Sequence, residues 1–528
     1  MAFSSGTGVI LTSRTNSWID GGSGKWETGA NWSSGFSPST NDAVEMITNA
    51  GNKTVTIDFT TVLSNAVYPS MIISNLYIAG TANSTNTLFL NNAYMVMWLQ
   101  ILNSAMTLET NGAVVVNYSW IHLPGTAVSV IGNTGGGASL TITNGGAVCD
   151  YEGFIGSNST SSANSVLVAG TGSVWSNQYY LDVGCSGWGN SLVISNGGAV
   201  CDLDGTLGYQ AGSSNNTVVV TGTGSVWYNQ TYLDVGGSGS SNLLTIAGGS
   251  VAATNVAVGY GNSASNNVLI VSGGNLFVTN ALGIAPLIVS QAGGEDSLLL
   301  SGGAITANQL VLTNGANSVF TFNAGTLTSG GTFVTNNQVF VVGDGTDAAT
   351  FQINGGVHSF VNNLEIRNNA TLTGCGTING NVVVDPGGTV LADCGGTLTL
   401  TGIVTNNGTM RANGASVLES YGTVVNNGTV DAINGGTSFH GAFLNYGTVL
   451  TASSVQISQV GPSGQTFVVK VPSVTGHTYQ LQYTTSLTPA NWTPTGASQS
   501  GNGGVLIFTD PSGLANAQRF YRVEVTAP

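Results

Sequence analysis

The chain has very few basic residues. Of its 528 residues only eight are Lys or Arg against 23 Asp or Glu, and the formal net charge is −15. No Lys or Arg occurs between Lys53 and Arg367. Because nucleic-acid binding and adsorption to anionic membranes both need clustered cations, the sequence argues against nucleic-acid and membrane-surface partners.

Cysteines and long apolar runs are also scarce. The five cysteines show no CxxC spacing, which excludes the common zinc and redox motifs. The apolar stretch at 93–102 is too short and too polar to span a bilayer, so no membrane span is predicted. The first residues lack the basic and apolar regions of a signal peptide, and we expect an exported protein whose signal is absent from this chain.

Glycine and short apolar runs are abundant instead. Gly accounts for 77 residues, hydrophobic residues make up 41 % and charged residues only 6 %. β-Forming runs separated by Gly and Asn predict an almost all-β protein with many tight turns.

A repeat of about 26 residues organises the middle of the chain. The segment GTGSVWSNQYYLDVG at 170–184 returns as GTGSVWYNQTYLDVG at 222–236, which is 52 residues later. An Asn opens one strand of every unit at spacings of 26, 26, 26 and 25, at Asn164, Asn190, Asn216, Asn242 and Asn267. Later units shorten to about 20 residues, marked by Thr389, Thr409, Thr429 and Thr448. A constant step of this kind favours a coil of parallel strands with stacked Val and Leu inside and an Asn ladder at one turn.

The predicted fold is a right-handed parallel β-helix (β-solenoid) followed by a small immunoglobulin-like β-sandwich. We expect a Trp-rich N-terminal cap over 1–54, the β-helix with rungs of 20–26 residues over 55–455, and the sandwich over 456–528.

The units NSLVISNGGAV and YLDVG…SNLLTIAGGSV resemble the T5SS/PEP-CTERM-associated repeat of secreted bacterial β-helix proteins. Residues 341–390 resemble autotransporter-associated β-strand repeats, and YQLQYTTSL…W…RFYRV is similar to C-terminal modules of exported proteins from Verrucomicrobia-like bacteria. These resemblances imply an exported β-helix and name no activity. No membrane barrel or sorting helix follows, so an autotransporter mechanism is not expected.

Repeated acidic residues are the first candidates for chemistry. Asp150 and Glu152 recur as Asp202 and Asp204, and Asp182 recurs as Asp234. Three interpretations remain open: hydrogen bonding at turns, Ca²⁺ binding by Asp150, Glu152, Asp202 and Asp204, and catalysis by Asp182, Asp202, Asp204 and Asp234 as in β-helix glycosidases.

Aromatic residues are the second candidates. A constant 26-residue register places Cys149, Trp175, Cys201 and Trp227 in one column. If that column faces outward, Trp175 and Trp227 with Tyr180 and Tyr232 form a sugar-binding platform, and if it faces inward they pack the core. Cys375 and Cys394 lie about one rung apart, which permits a disulfide.

The function expected from these patterns is an extracellular structural or adhesive rod at the cell surface or in the matrix that self-associates into fibres or surface layers. The alternatives are a polysaccharide-active enzyme and a glycan-binding protein. No cofactor is expected apart from Ca²⁺.

Overall fold

The computed structural model describes residues 14–39, 42–64, 70–93, 98–101, 105–515 and 518–526. Nearly all described elements are β-strands; the exceptions are a short helix at Phe59–Ser64 and four 3₁₀ turns at Gly29–Asn31, Gly315–Asn317, Ala452–Val455 and Gly513–Ala515. The chain forms two compact units, 1–328 and 329–528. The prediction about a signal peptide concerns the start of the chain, and residues 1–13 lie outside the described residues.

Unit 1–328 is a parallel β-solenoid with three ladders, and each turn contributes one strand to each ladder. Ladder 1 contains the strands Lys53–Asp58, Asn86–Asn91, Gly112–Asn117, Ser139–Thr143, Ser165–Ala169, Ser191–Ser195, Thr217–Thr221, Leu243–Ile246 and Val268–Val271. Ladder 2 contains Ser70–Ile73, Trp98–Ile101, Trp120–His122, Ala147–Asp150, Val174–Asn177, Ala199–Asp202, Val226–Asn229, Ser250–Ala253 and Asn275–Val278. Ladder 3 contains Asp42–Ile47, Leu76–Ile78, Ala105–Leu108, Val128–Ile131, Gly153–Ile155, Tyr180–Val183, Asp204–Leu207, Tyr232–Val235, Asn255–Val258, Pro286–Val289 and Gln309–Leu312.

Longer strands complete this unit. Asp296–Ala307 pairs with both Val268–Val271 and Asn275–Val278, and it therefore closes ladders 1 and 2 together. It is followed by Ser318–Ser329, which pairs with it. At the other end, Arg14–Ser17 pairs with Asp42–Ile47, and Gly24–Lys25 pairs with Lys53–Asp58.

Alternation of apolar and polar residues explains why these segments form strands. In Ser191–Ser195, Leu192 and Ile194 are fully buried, and they stack on Val166 and Val168 of the preceding turn. Rows of this kind continue along ladder 1 and form a dry interior. The predicted parallel β-solenoid is confirmed.

The predicted Asn ladder is present at the turn before ladder 1. Asn164, Asn190, Asn216, Asn242 and Asn267 are fully buried, and each side-chain amide donates to the next Oδ1 at 2.8–3.0 Å. The last acceptor is Asp296, which accepts from both the backbone and the side chain of Asn267. A carboxylate suits the end of the ladder because that position needs only acceptor oxygens.

A glycine precedes every step of this ladder. Gly208, for example, has φ +68°, and an added Cβ would lie 2.2 Å from the Asn242 amide. Positive φ and close approach both require glycine there, which explains why a glycine recurs at this position on successive turns.

Three tryptophans form a cluster near the start of unit 1–328. Trp18, Trp26 and Trp32 are buried, with ring centroids 5.2 Å apart for Trp18–Trp32 and 4.9 Å for Trp26–Trp32. The Trp32 Nε1 donates to the Trp26 carbonyl at 2.8 Å. The predicted boundary at 54/55 falls within the strand Lys53–Asp58.

Unit 329–528 begins with narrower turns built from two ladders. The first ladder contains Ala349–Phe360, Ala370–Asn379, Thr389–Ala392, Thr397–Leu400, Thr409–Ser420, Thr429–Phe439 and Thr448–Thr451, with Thr332–Val334 paired to Ala349–Phe360. The second contains Phe340–Val342, Leu364–Ile366, Val382–Val384, Val404–Asn406, Val424–Asn426 and Phe443–Asn445. Thr389, Thr409, Thr429 and Thr448 are paired in register, as their spacing predicts.

The same unit ends in two antiparallel sheets. One contains Gln459–Ser463, Thr466–Pro472 and Val505–Asp510; the other contains Thr478–Thr484, Thr493–Pro494, Gln499–Ser500 and Phe520–Thr526. Their inner faces share one core of Val469, Val471, Tyr479, Leu481, Leu506 and Phe508. This is the two-sheet arrangement expected for the last seventy residues.

Candidate functional site

Trp175 and Trp227 lie inside the solenoid. Both side chains have 0 % exposure. The indole Nε1 of Trp175 donates to Asp150 Oδ2 at 2.9 Å, and that of Trp227 donates to Asp202 Oδ2 at 2.7 Å. The outward platform with these two residues is therefore wrong, and the packing interpretation describes their positions.

A one-residue change of register explains this correction. Trp175 pairs with Val148 on one side and with Val200 on the other, whereas Cys149 and Cys201 pair with Ser176. The steps along the row are thus 27 and 25 residues, because the GTGS turn is one residue longer than the NGG turn. A shift of one residue moves a side chain to the opposite face of a strand.

Asp150 and Asp202 belong to the same interior row. They alternate with Asn177 and Asn229, and Asp150 and Asp202 are 1 % and 0 % exposed. Burial raises the pKa of Asp150 to about 7, against weaker lowering by hydrogen bonds from Ser129 and Trp175, and burial raises the pKa of Asp202 well above its usual range. Asp202 is therefore excluded as a catalytic residue, because a catalytic carboxyl group must contact the substrate.

The predicted Ca²⁺ ligands do not converge. Asp150 and Asp202 point into the solenoid, whereas Glu152 and Asp204 lie two residues further along their turns, on ladder 3 or beside it. Among the residues that the structure describes, no group of three or more His, Cys, Asp or Glu is arranged to hold a metal ion.

The remaining acidic candidates share the outer face of ladder 3. One row across the turns contains Asp182, Thr206 and Asp234, and the neighbouring row contains Tyr180, Asp204 and Tyr232. The side chains of Cys185 and Thr206 lie near the Asp182 carboxyl group and lower its pKa against the larger effect of burial. Asp204 accepts hydrogen bonds from the Thr231 hydroxyl and, at 3.4 Å, from the Tyr232 backbone. The sequence therefore identified the carboxylates of this face.

Burial in a stretch of the chain without Lys or Arg raises the pKa of these carboxyl groups. Burial is the main cause that raises the pKa of Asp182 to about 7, with the charge of Glu152 adding to it. Burial also raises the pKa of Asp234 to about 7, with Asp204 as the second cause. The pKa of Asp204 is raised by burial as well. This face therefore carries carboxyl groups that gain or lose protons near neutral pH.

A cavity of about 700 Å³ opens over this face. Its lining includes Thr206, Tyr232, Asp234 and Asn255 from ladder 3 and Tyr209 and Tyr260 from the turns that follow ladder 3. Tyr209 and Tyr260 are 53 % and 51 % exposed. We call this cavity the ladder 3 groove.

One row of residues explains why the groove lies here. The residue after the turn glycine is Cys185, Tyr209, Gly237 and Tyr260 on four successive turns. Two tyrosines therefore stand two turns apart, about 10 Å by the strand spacing, with no side chain between them. Gly237 has no positive φ, but an added Cβ would lie 2.9 Å from Thr206 Cγ2.

The 52-residue echo differs at this position. The first copy has Cys185 after its YLDVG segment, and the second has Gly237. Sequence analysis included Tyr232 and Asp234 but missed Tyr209, Gly237 and Tyr260. The alternation of large and small residues after the turn glycine was the available signal.

Aromatic walls over a polar floor suit a ligand with both apolar and hydroxyl-bearing surfaces. The rings of Tyr209, Tyr232 and Tyr260 offer apolar faces, while Asp234, Asn255 and Thr206 offer hydrogen-bonding groups. A ring inserted between two aromatic rings needs about 7–8 Å for van der Waals contact on both faces. The two-turn gap of about 10 Å admits such a ring but is wider than simultaneous contact with both tyrosines requires.

Cys375 and Cys394 are paired as a disulfide, with Cα atoms 5.8 Å apart. This pairing joins neighbouring turns of unit 329–528, as their spacing permits. Cys149, Cys185 and Cys201 are free and half-buried.

The comparisons with known proteins bring no relative. No protein-family model matches the chain, no curated protein is significantly similar to it, and no solved structure matches it significantly. The described residues contain no helix that is long and apolar enough to cross a membrane.

Proposed function

We propose that the protein is an extracellular β-solenoid that binds a polysaccharide in the ladder 3 groove. The observation that carries this proposal is the 700 Å³ cavity between Tyr209 and Tyr260, with Asp234 and Tyr232 in its lining. Pyranose rings have apolar C–H faces and a polar hydroxyl rim, which match aromatic walls over a polar floor.

The scaffold supports a structural or adhesive role for this binding. Parallel ladders with internal Asn bonding, in a chain with 6 % charged residues, suit a structural element of a cell surface or matrix, and parallel β-ladders can associate into fibres. Export, and kinship with T5SS/PEP-CTERM-associated and autotransporter-associated repeat proteins, belong to this proposal and rest on the sequence resemblance.

A polysaccharide hydrolase is the second candidate. The observation in its favour is that Asp182, Asp204 and Asp234 share one face and have raised pKa values. Glycosidases use one protonated and one ionised carboxyl group. Release of reducing ends from a bound polymer, abolished by Asp234→Asn, would favour this candidate, and binding without release would favour the non-enzymatic one.

Pull-down with a panel of insoluble polysaccharides tests the binding proposal. Tyr209→Ala with Tyr260→Ala removes both walls, and we expect the bound fraction to fall at least about tenfold because each stacked ring contributes about 0.5–1.5 kcal/mol beyond its buried area. Tyr228→Ala is the matched control, since Tyr228 is 47 % exposed and lies on ladder 2. Equal binding by the wild type and the double variant would refute the groove as the binding site.

A further inference from the structure

We infer that the ladder 3 groove selects a cationic polysaccharide, one whose sugar rings carry a protonated amine. This inference rests on the proposed function and adds the charge of the ligand to it. It is carried by the lining of the groove, where aromatic faces and a carboxyl group meet and no cation is present.

The carboxyl group of Asp234 lacks a partner. Within the described part of the chain no side chain or backbone group donates a hydrogen bond to it, and its nearest electrostatic influence is Asp204. No Lys or Arg occurs from residue 54 to residue 366, so this stretch of the chain supplies no cation for the groove. An ammonium group on a ligand would provide the missing charge and the missing donors.

The tyrosines that line the groove also favour a cationic ligand. Tyr209, Tyr232 and Tyr260 line the groove, and the face of an aromatic ring attracts a cation through the ring quadrupole. A uronic acid would instead place its carboxylate beside Asp234 and Asp204, where like charges repel. Neutral sugars gain the stacking but not the charge. The groove therefore ranks amino sugars first, neutral sugars second and uronic acids last.

Calorimetric titration with three soluble oligomers of equal length tests this ranking. The probes are glucosamine, N-acetylglucosamine and galacturonate oligomers, in a neutral buffer, because the Asp234 carboxyl group has a pKa of about 7 and is protonated at acidic pH. We expect the glucosamine oligomer to bind at least about tenfold more tightly than its N-acetylated counterpart, because its ammonium group makes a charge-assisted hydrogen bond to Asp234 that an acetamide cannot make. Added salt should reduce this difference.

Two variants distinguish the effect of the Asp234 charge in the groove from the effect of the net charge of the protein. Asp234→Asn keeps the shape of the side chain, and we expect it to abolish the preference for glucosamine, so that the cationic and the N-acetylated oligomers bind with equal affinity. Asp347→Asn removes one charge at an exposed residue of unit 329–528 and should leave the preference intact.

The outcomes distinguish the two proposals. If both neutral and cationic oligomers bind equally and both lose binding in the double tyrosine variant, the groove binds glycans and the charge inference is overturned. Tighter binding of galacturonate also overturns the charge inference. If no oligomer binds and the insoluble panel is negative as well, the proposed function itself fails.

Discussion

At the scale of single residues, the interior of unit 1–328 is notable for polar groups held among apolar rows. Trp227 fills the space beside Val200 and ties its indole to Asp202, which is fully buried. The second carboxyl oxygen of Asp202, Oδ1, has no partner in the structure. The indole is thus the only side chain that donates to this carboxyl group among the described residues, and its removal leaves a buried polar group unsatisfied.

Trp227→Phe tests this contact. The variant keeps most of the ring but deletes the Nε1 donor, and we expect the free energy of unfolding to fall by about 2–3 kcal/mol from the unsatisfied carboxyl group and the lost volume. Denaturant titration followed by circular dichroism measures the change. Trp188→Phe, at a side chain that is 51 % exposed, should shift the midpoint little. Equal shifts in the two variants would argue against the hydrogen bond.

At the scale of elements, the Asn ladder fastens each turn to the next. Asn216 accepts from the backbone and the side-chain amide of Asn190 at 3.0 Å and donates to Asn242 Oδ1 at 3.0 Å. Since several buried groups share this one side chain, it acts on three consecutive turns.

Asn216→Ala should therefore cost about 3 kcal/mol or more in unfolding free energy, because it leaves buried donors and an acceptor unpaired. The matched control is Asn262→Ala, at an exposed residue of the same unit. Hydrogen exchange of the flanking strands would show faster exchange in Asn216→Ala alone. Unchanged exchange there would contradict a fastening role for the ladder.

The same elements show what a sequence can and cannot predict here. The Asn column was predicted correctly because each Asn lies directly before an unbroken strand, with no corner of variable length between the Asn and that strand. The Thr389 column was predicted correctly for the same reason. The column of Trp175 was misplaced because the extra residue of the GTGS turn lies just before it, and periodicity alone does not show which turn absorbs it. The groove was missed because it depends on a missing side chain, Gly237, rather than on a recurring one.

At the scale of the whole molecule, an acidic chain with buried carboxyl groups should respond to pH in an unusual direction. The pKa of Asp150 is about 7 in the folded protein, whereas an unfolded Asp has a pKa near 3.9. Between these values the folded state binds more protons than the unfolded state. Stability from this group is complete below about pH 4 and is lost as pH rises towards about 7.

We therefore expect unit 1–328 to unfold at a higher denaturant concentration at about pH 5 than at about pH 8. Asp150 contributes about 3 kcal/mol to this difference, because about two of the roughly three pKa units are traversed above pH 5. Asp150→Asn retains an acceptor for Trp175 and should flatten the pH profile, whereas Asp347→Asn should not. A midpoint that rises with pH across this range would contradict the assignment of neutral buried carboxyl groups.

The alternation of 27- and 25-residue steps defines how this solenoid can grow. A turn that carries an interior Trp has the four-residue GTGS corner and a turn that carries Val has the three-residue NGG corner, although both span 26 residues from one Asn to the next. The smallest segment that preserves the alternation of Trp with Val and of Asp with Asn along the interior rows is the pair of turns, 52 residues long. Duplication in pairs also produces a second copy of each outer face. A single exchange between Cys and Gly in one copy can then open a groove there while the other copy keeps its original surface.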